Sequence, residues 1–334
     1  MTDSPRISLP KLPRVTLLDG PTPLQPMPGL SKALGGRVEL WIKREDLGPI
    51  TFSGNKLRNL EFLLGAALAD GADTVITSGR RWSNHCRLTA AAGARVGLRV
   101  HVVVSGPPVE HSPNLDLIRL HGGVVHETGT DDRAEREEMV EAVAAQGRAA
   151  GRRVKVIPIG GSEAAGAWGH ALAAVEVSRQ AAALGFRPDV IALPTATGGT
   201  QAGLVVGSSI GTRQPPRVVG VVVARTGMEL RPVVERLTSE LATMAGIDAP
   251  LDRIELDESQ LGSGYGVPTM AASKAQILLA RSEGILVDPV YTAKGLAGLI
   301  AIVRSGVIDG RHAIFWHGGG LPALFEPGPP GDSG

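Results

Sequence analysis

The stretch SGNKLRNLEF, Ser53 to Phe62, places a lysine one residue past a Ser-Gly-Asn turn, where an apolar helix begins. Lysine is scarce here, with seven against 27 arginines among 34 basic residues. An amine at such a position is either a solvated surface group or a nucleophile that forms a Schiff base with a carbonyl. A second stretch, TATGGTQAG from Thr195 to Gly203, leaves a strand, offers Thr197, Gly198, Gly199 and Thr200, and enters an apolar helix. Glycines let backbone N–H groups approach an anion, and a helix N-terminus adds a favourable dipole. The spacing G-x-G-x-x-G is absent and no Gly-Lys-Ser/Thr follows, so this is neither a dinucleotide nor a nucleoside-triphosphate loop. Taken alone, an ordinary glycine-rich turn explains it as well as a phosphate cradle does. A lysine and a phosphate cradle together point to pyridoxal 5'-phosphate, whose aldehyde condenses with an amine and whose ring is an electron sink.

The elements that must position these groups alternate. Strands are predicted over residues 38–46, 73–78, 99–105, 123–128, 154–159, 189–194, 217–223 and 312–317. Helices are predicted over 55–68, from Ser83 or Asn84 onward, 131–150, 163–183, from Thr200 onward, 228–245, 268–283 and 293–305. Most strands are continuous apolar runs rich in β-branched residues, as in sheets buried on both faces. The alternation predicts an α/β fold with open, twisted, mainly parallel sheets flanked by helices. Two further glycine turns, IGGSE (Ile159 to Glu163) and WHGGGLP (Trp316 to Pro322), fall after strands, where such sheets bind ligands. The first 35 residues read as irregular and the tail EPGPPGDSG as frayed.

The totals exclude several classes. The chain has 334 residues, 43% apolar and 20% charged, with a net charge of +1 and no block of like charges. That argues against nucleic acid as a partner. No apolar run reaches the roughly 18 residues of a membrane span, and the N-terminus lacks a secretory pattern, so a cytoplasmic protein is expected. One cysteine, Cys86, excludes an internal disulfide and reads as buried packing. The carboxylates from Asp131 to Glu138 read as a solvated helix face, and no pattern calls for a metal.

SGNKLRNLEFLLGAAL, TSGRRWSNHCRLTAAAGARVGL, IPIGGSEAAGAWG, GYGVP and EGILVDPVYTAKGLAGLI, in this order, resemble the D-cysteine desulfhydrase and 1-aminocyclopropane-1-carboxylate (ACC) deaminase family. These are pyridoxal-phosphate enzymes of the tryptophan-synthase β fold type (fold type II), and the resemblance runs from about Pro21 to Phe325. It implies a homodimer, with a small domain at 59–156 inserted in a large one made of 1–58 and 157–334. By the same resemblance Lys56 is the Schiff-base lysine in the family's G-N-K motif, with Asn55 beside it. Asn84 meets the cofactor's 3-hydroxyl, and Ser83 lies near the substrate carboxylate. Thr197, Gly198, Gly199 and Thr200 hold the phosphate, and Tyr265 and Tyr291 are active-site tyrosines. Thr292, His317 and Gly318 join the cofactor set; Asn84, His85 and Gly161 join Ser83 in the substrate set, and Arg80, Arg81 and Trp82 stand at its mouth.

The departures bear on substrate. ACC deaminases carry glutamate after the second tyrosine, facing the pyridine nitrogen; here the residue is Thr292, as in the desulfhydrases, which disfavours ring opening. The family's His-Thr-Gly-Gly turn reads HGGG here, so Gly318 lacks a hydroxyl. Arg80, Arg81 and Trp82 replace a small residue, an isoleucine and a glutamine before Ser-Asn-His. Two arginines suit an added carboxylate, sulfonate or phosphate on the substrate, or else pair with acids elsewhere. The expected reaction is Cα proton abstraction and β-elimination on a small amino acid, giving a 2-oxo acid and ammonia. PLP-dependent β-replacement in specialised biosynthesis and a non-catalytic PLP-binding protein remain as alternatives.

Overall fold

A computed structural model describes residues 10–212, 214–308 and 310–326. The chain begins with β1 (Leu24–Pro26), α1 (Pro28–Ala33), β2 (Glu39–Arg44) and α2 (Lys56–Ala69). It continues through β3 (Thr74–Arg80), α3 (Asn84–Val96), β4 (Arg99–Ser105), α4 (Pro113–Leu120), β5 (Val124–Glu127), α5 (Arg133–Ala149) and β6 (Val154–Val156). Then come α6 (Ala164–Ala183), β7 (Val190–Thr195), α7 (Gly199–Ser209), β8 (Arg217–Val222), α8 (Gly227–Ala245) and β9 (Ile254–Asp257). Last are α9 (Met270–Glu283), α10 (Thr292–Arg304) and β10 (His312–His317).

Two sheets result. One is six-stranded in the order β1-β2-β10-β7-β8-β9, and the other is four-stranded in the order β5-β4-β3-β6. Every pairing is parallel except β1 with β2. Parallel strands must be covered on both faces, and both sheets are. Trp168, Leu204 and Leu237 pack on one face of the larger sheet, and Leu279, Leu296 and Ile308 on the other. Leu60, Leu88 and Ile118 cover one face of the smaller sheet, and Val140, Val143 and Ala144 of α5 the other.

Four elements lie outside the predicted pattern. β1 and α1 fall in the stretch expected to be irregular. β1 exists through its partner, with Gln25 opposite Ile42, and α1 starts at a proline and buries Leu30. α4 is short, capped by Ser112 and opened by Pro113, and β9 is a four-residue edge strand. The strand expected at 154–159 ends at Val156, because the chain turns into a 3₁₀ segment over Ile159–Gly161. The tail is outside the described residues except Glu326. That carboxylate is anchored, accepting from Ser112 Oγ and from the backbone and side-chain nitrogens of Asn114 at 2.9–3.0 Å.

Two packing devices fix the framework of the site. α6 and α7 touch backbone to backbone: a Cβ on Gly203 or Gly207 would lie 2.5 or 2.1 Å from the carbonyl oxygens of Ala167 and Ala171. The second is an ion cluster joining β2, α2 and α6. Arg58 Nε donates to Glu45 Oε2 at 2.7 Å, and its Nη1 to Glu176 Oε2 at 2.9 Å. Lys43, fully buried, donates to Glu176 Oε1 and to the carbonyl of Thr22. Arg58→Leu leaves the Glu45 carboxylate buried beside α2 with no cation of its own. The expected loss is about 3–5 kcal/mol of stability, read as a lower urea midpoint.

Candidate active site

The carboxyl ends of β3, β7, β8 and β10 open on one cavity of about 740 Å³. Its walls include Asn55, Lys56, Arg80, Ser83, Asn84, His85, Thr197, Gly198, Thr200, Tyr265, Tyr291, Thr292 and Gly318. Most residues singled out in the sequence therefore converge.

Lys56 is the first residue of α2, and backbone geometry sets it there. Gly54 and Gly319 form an isolated antiparallel bridge, and Asn55 N donates to the carbonyl of Gly318 at 3.1 Å. A Cβ on Gly54 would lie 2.7 Å from that carbonyl, and one on Gly319, at φ +87°, 2.5 Å from the carbonyl of Ser53. The two glycine turns thus meet without side chains between them, and α2 starts above the end of β10. Lys56 makes no hydrogen bond or ion pair with any described residue. Its surroundings exclude water, which lowers the ammonium pKa to about 8.

The TGGT turn is positioned from below. Gly198 takes φ +82°, and α7 begins at Gly199. Ser162 Oγ donates to Thr197 Oγ1 at 2.6 Å, and Gly160 leaves the room: its Cβ would lie 2.5 Å from Thr197 Oγ1. Asn55 Nδ2 donates to Thr200 Oγ1 at 2.9 Å. Thr200 Oγ1 also contacts His170 Nε2, which contacts Asn59 Oδ1, and Asn59 Nδ2 donates to the carbonyl of Gly161. This network ties both ends of the site together. Sequence reading missed Asn59 and His170, because the partners are 111 positions apart and nothing local marks them.

On the opposite wall, Ser83 caps α3 by accepting from Cys86 N at 3.3 Å. Gly79 permits this packing, since a Cβ there would lie 2.8 Å from both Ser83 Oγ and Cys86 Sγ. Burial raises the Cys86 thiol to about 12 and lowers His85 to about 3, with the charge of Lys56 adding to the latter. Both are neutral near pH 7. His85 Nε2 is hydrogen-bonded to Thr77 Oγ1 at 2.9 Å.

Tyr265 and Tyr291 share a direct hydroxyl–hydroxyl hydrogen bond. Burial raises the pKa of each, and for Tyr291 the neighbouring Tyr265 raises it further. Arg80 lies over the Tyr265 ring at 5.6 Å and pairs with Asp131. Trp82 meets the same ring edge-on at 5.6 Å. Thr292 donates its hydroxyl proton to Asp288 Oδ2, and Asp288 also accepts from three backbone N–H groups of the Val290–Thr292 turn.

Five expected residues stand off the cavity wall, Gly199 at the start of α7 among them. Arg81 stacks on Trp82 at 4.7 Å and lies 4.0 Å from Glu326. Trp82 packs behind Tyr265. His317 donates through Nε2 to the carbonyl of Leu286 at 2.8 Å and accepts from Gly319 N through Nδ1. Gly161 lies under His85, 3.2 Å from its ring where a Cβ would stand. Arg81, Trp82, His317 and Gly161 support the site from behind, and the cavity is lined also by Arg133, Arg136, Arg225 and Glu229, which sequence reading did not single out.

The donor set suits pyridoxal phosphate: an unpartnered amine of low pKa, a glycine-threonine turn at a helix start, and the cavity-lining Thr195, whose buried hydroxyl has no partner among the described residues. Residues 15–319 match the model of the pyridoxal-phosphate dependent enzyme family. The chain belongs to that family. A D-cysteine desulfhydrase of Yersinia pestis is 40% identical over 328 residues, covering 95% of this chain and 96% of its own. One from Salmonella choleraesuis is 40% identical over the same length, covering 95% and 97%. The crystal structure of an ACC deaminase homologue superposes with a TM-score of 0.87 at 34% identity, covering 94% and 93%. Pyridoxal phosphate is the cofactor, and the fold is that of the fold type II enzymes.

The lowered pKa of Lys56 has a consequence for the protein before cofactor is added. An unfolded lysine keeps its proton to about 10.5, whereas the folded one loses it near 8. Between these values the unfolded state binds more protons, so this residue's contribution to stability rises with pH. Urea midpoints of the cofactor-free protein, compared with Lys56→Met from pH 7 to 10, are expected to shift in favour of the wild type as pH rises.

Proposed function

We propose that the protein is a lyase that removes the Cα proton of a small amino acid and expels a Cβ substituent, ending in a 2-oxo acid and ammonia. D-cysteine desulfhydration is the named activity it most resembles. The observation that carries the reading is the separation of acid and base in one cavity. Lys56 titrates near 8, while both tyrosines are held above their ordinary value and stay protonated.

When bound, pyridoxal phosphate supplies the carbonyl for the substrate amine and the ring that takes up the Cα electron pair. Lys56 would hold the cofactor's carbonyl carbon and is the base that takes the Cα proton. The N-terminus of α3, with Ser83 and Asn84, takes the substrate carboxylate through backbone donors and its dipole. Thr197, Gly198, Gly199 and Thr200 would hold the phosphate, and Asn84 would meet the ring. Of the two tyrosine hydroxyls, one proton is spent in the shared hydrogen bond, and the other is available to the leaving group as the Cβ bond breaks. Water completes the reaction by hydrolysing the released enamine, and no oxidant or reductant enters.

Thr292 supports elimination over ring opening. Its hydroxyl proton is committed to Asp288, so the residue standing where ACC deaminases carry glutamate offers no carboxylate of its own to the ring nitrogen. Pairing of two copies, a cytoplasmic setting and the division at 59–156 extend the family reading. The buried free thiol of Cys86 suits a reducing compartment.

Two measurements check this reading. The purified protein is expected to be yellow, and Lys56→Ala is expected to lose the covalently bound form and at least about 10³-fold in turnover. Tyr265→Phe and Tyr291→Phe are each expected to lower kcat by about 10²- to 10⁴-fold for a poor leaving group, and less for a good one. Equal losses for both leaving groups would remove the tyrosines from the acid role.

A further inference from the structure

The cavity carries more positive charge than elimination requires. Besides Lys56, four arginines line it: Arg80, Arg133, Arg136 and Arg225. Two carboxylates line it too, Asp131 and Glu229, and both are committed. Asp131 pairs with Arg80, and Glu229 closes the capping box of α8 by accepting from Thr226 N and Oγ1 at 2.9 and 2.7 Å. Arg133 leans on the exposed Glu137 at 2.7 Å. Arg136 and Arg225 have no carboxylate within ion-pair distance among the described residues.

Arg136 is the informative residue. It is 8% exposed, on a helix whose other charged residues face solvent. Its Nη1 donates to Ser105 Oγ at 3.1 Å, and its buried Nε has no partner among the described residues. Burial lowers its pKa; Glu137 opposes that, and the charges of Arg133 and Arg80 add to it. Arg225 is likewise lowered by burial and then by Arg133, with the charge of Glu229 and then Tyr265 opposing. A guanidinium does not shed its proton, so a buried one lacking a counter-ion is costly, and one serine hydroxyl does not offset that cost. The four cations also come from both sides of the cleft. Arg133 and Arg136 open α5, beside the smaller sheet, and Arg225 follows β8 of the larger one. Such a cluster is completed by an anion that the two sides share.

We propose that this cluster binds a second negative group on the substrate, carried by the Cβ substituent. The preferred substrates are then β-substituted amino acids whose leaving group bears a carboxylate, sulfonate or phosphate. The inference rests on the lyase reading above and adds a third anion site to those for the substrate carboxylate and the cofactor phosphate. In the step itself the Cα proton goes to Lys56 and the Cβ–X bond breaks with its electron pair on X. The atom of X that takes the pair is protonated by a tyrosine where it is a poor leaving atom, and the arginines hold the separate negative group that X carries. Guanidinium groups hold carboxylate, sulfonate or phosphate oxygens in pairs, which an ammonium cannot do as well.

A matched pair of substrates tests this: O-acetylserine and O-succinylserine, in both enantiomers, which share an ester leaving bond and differ by one distal carboxylate. With holoenzyme, kcat/KM for the succinyl ester is expected to exceed that for the acetyl ester by about 10- to 100-fold. Arg136→Gln is expected to bring the ratio close to one, and Arg136→Lys to restore part of it. Equal kcat/KM in the wild type, or a ratio unmoved in Arg136→Gln, would overturn the proposal. So would loss of bound cofactor on dialysis of Arg136→Gln or Arg225→Gln with the ratio intact, which would assign the arginines to the cofactor's phosphate. If neither ester nor D-cysteine yields a 2-oxo acid, the lyase reading fails by itself. Calorimetry then decides the subsite separately: cysteate binding more tightly than alanine, with the difference lost in Arg136→Gln, supports it, and equal binding sinks it.

Discussion

The site depends on the contact between two backbones. Gly54 and Gly319 bridge at a separation that no side chain could tolerate, and that bridge sets where α2 begins. Because α2 begins there, Lys56 projects into the cavity and not along the helix surface. The same seam places the Asn55 amide on Thr200 and so couples the lysine to the TGGT turn. One close approach thereby fixes two functional groups that lie 144 residues apart. The helix–helix contacts of Gly203 and Gly207 against α6 carry the constraint onward, since they set the height of α7 and of the donors at its start.

With positions fixed, dielectric does the sorting. Every titratable group facing the cavity from the buried side is pushed toward its neutral form. Lys56 falls to about 8, His85 to about 3, and the tyrosines rise. The same desolvation lowers the lysine and raises the phenols, because their charged forms have opposite signs. The neutral His85 and His170 then serve as fixed hydrogen-bonding spacers and do not compete for the proton. The arginines are the exception, since they cannot escape burial by neutralising.

Much of this was legible in the sequence, for definite reasons. Continuous β-branched runs marked the buried strands, and the Ser-Gly-Asn-Lys and Thr-Gly-Gly-Thr turns marked the site because their residue types serve backbone geometry directly. What was not legible depends on distant partners. β1 is a strand only because β2 offers it an edge, and Glu326 is held by Ser112 and Asn114 at the start of α4, more than 200 positions away. Arg136 sits in RAEREEM, a run that reads as a solvated face, and its burial becomes visible only once β4 and Ser105 lie beneath it.

The departures from the family pattern divide by what they touch. Arg81 and Trp82 lie behind the wall, where one stacks on the other and the pair backs the Tyr265 ring. Their bulk therefore acts on the orientation of a tyrosine and leaves the cavity open. Arg80 faces the cavity but is held between Asp131 and two aromatic rings, so its charge is partly neutralised before any substrate arrives. Gly318 differs from Gly54 and Gly319 in kind: a Cβ there would meet Asn55 at 3.4 Å, an ordinary contact, so the backbone does not demand glycine. A side chain is tolerated by the backbone at that point of the floor. Among these departures only Arg80 sets a charged group on the cavity wall; Arg81 and Trp82 act through the Tyr265 ring, and Gly318 acts through the backbone beside Asn55.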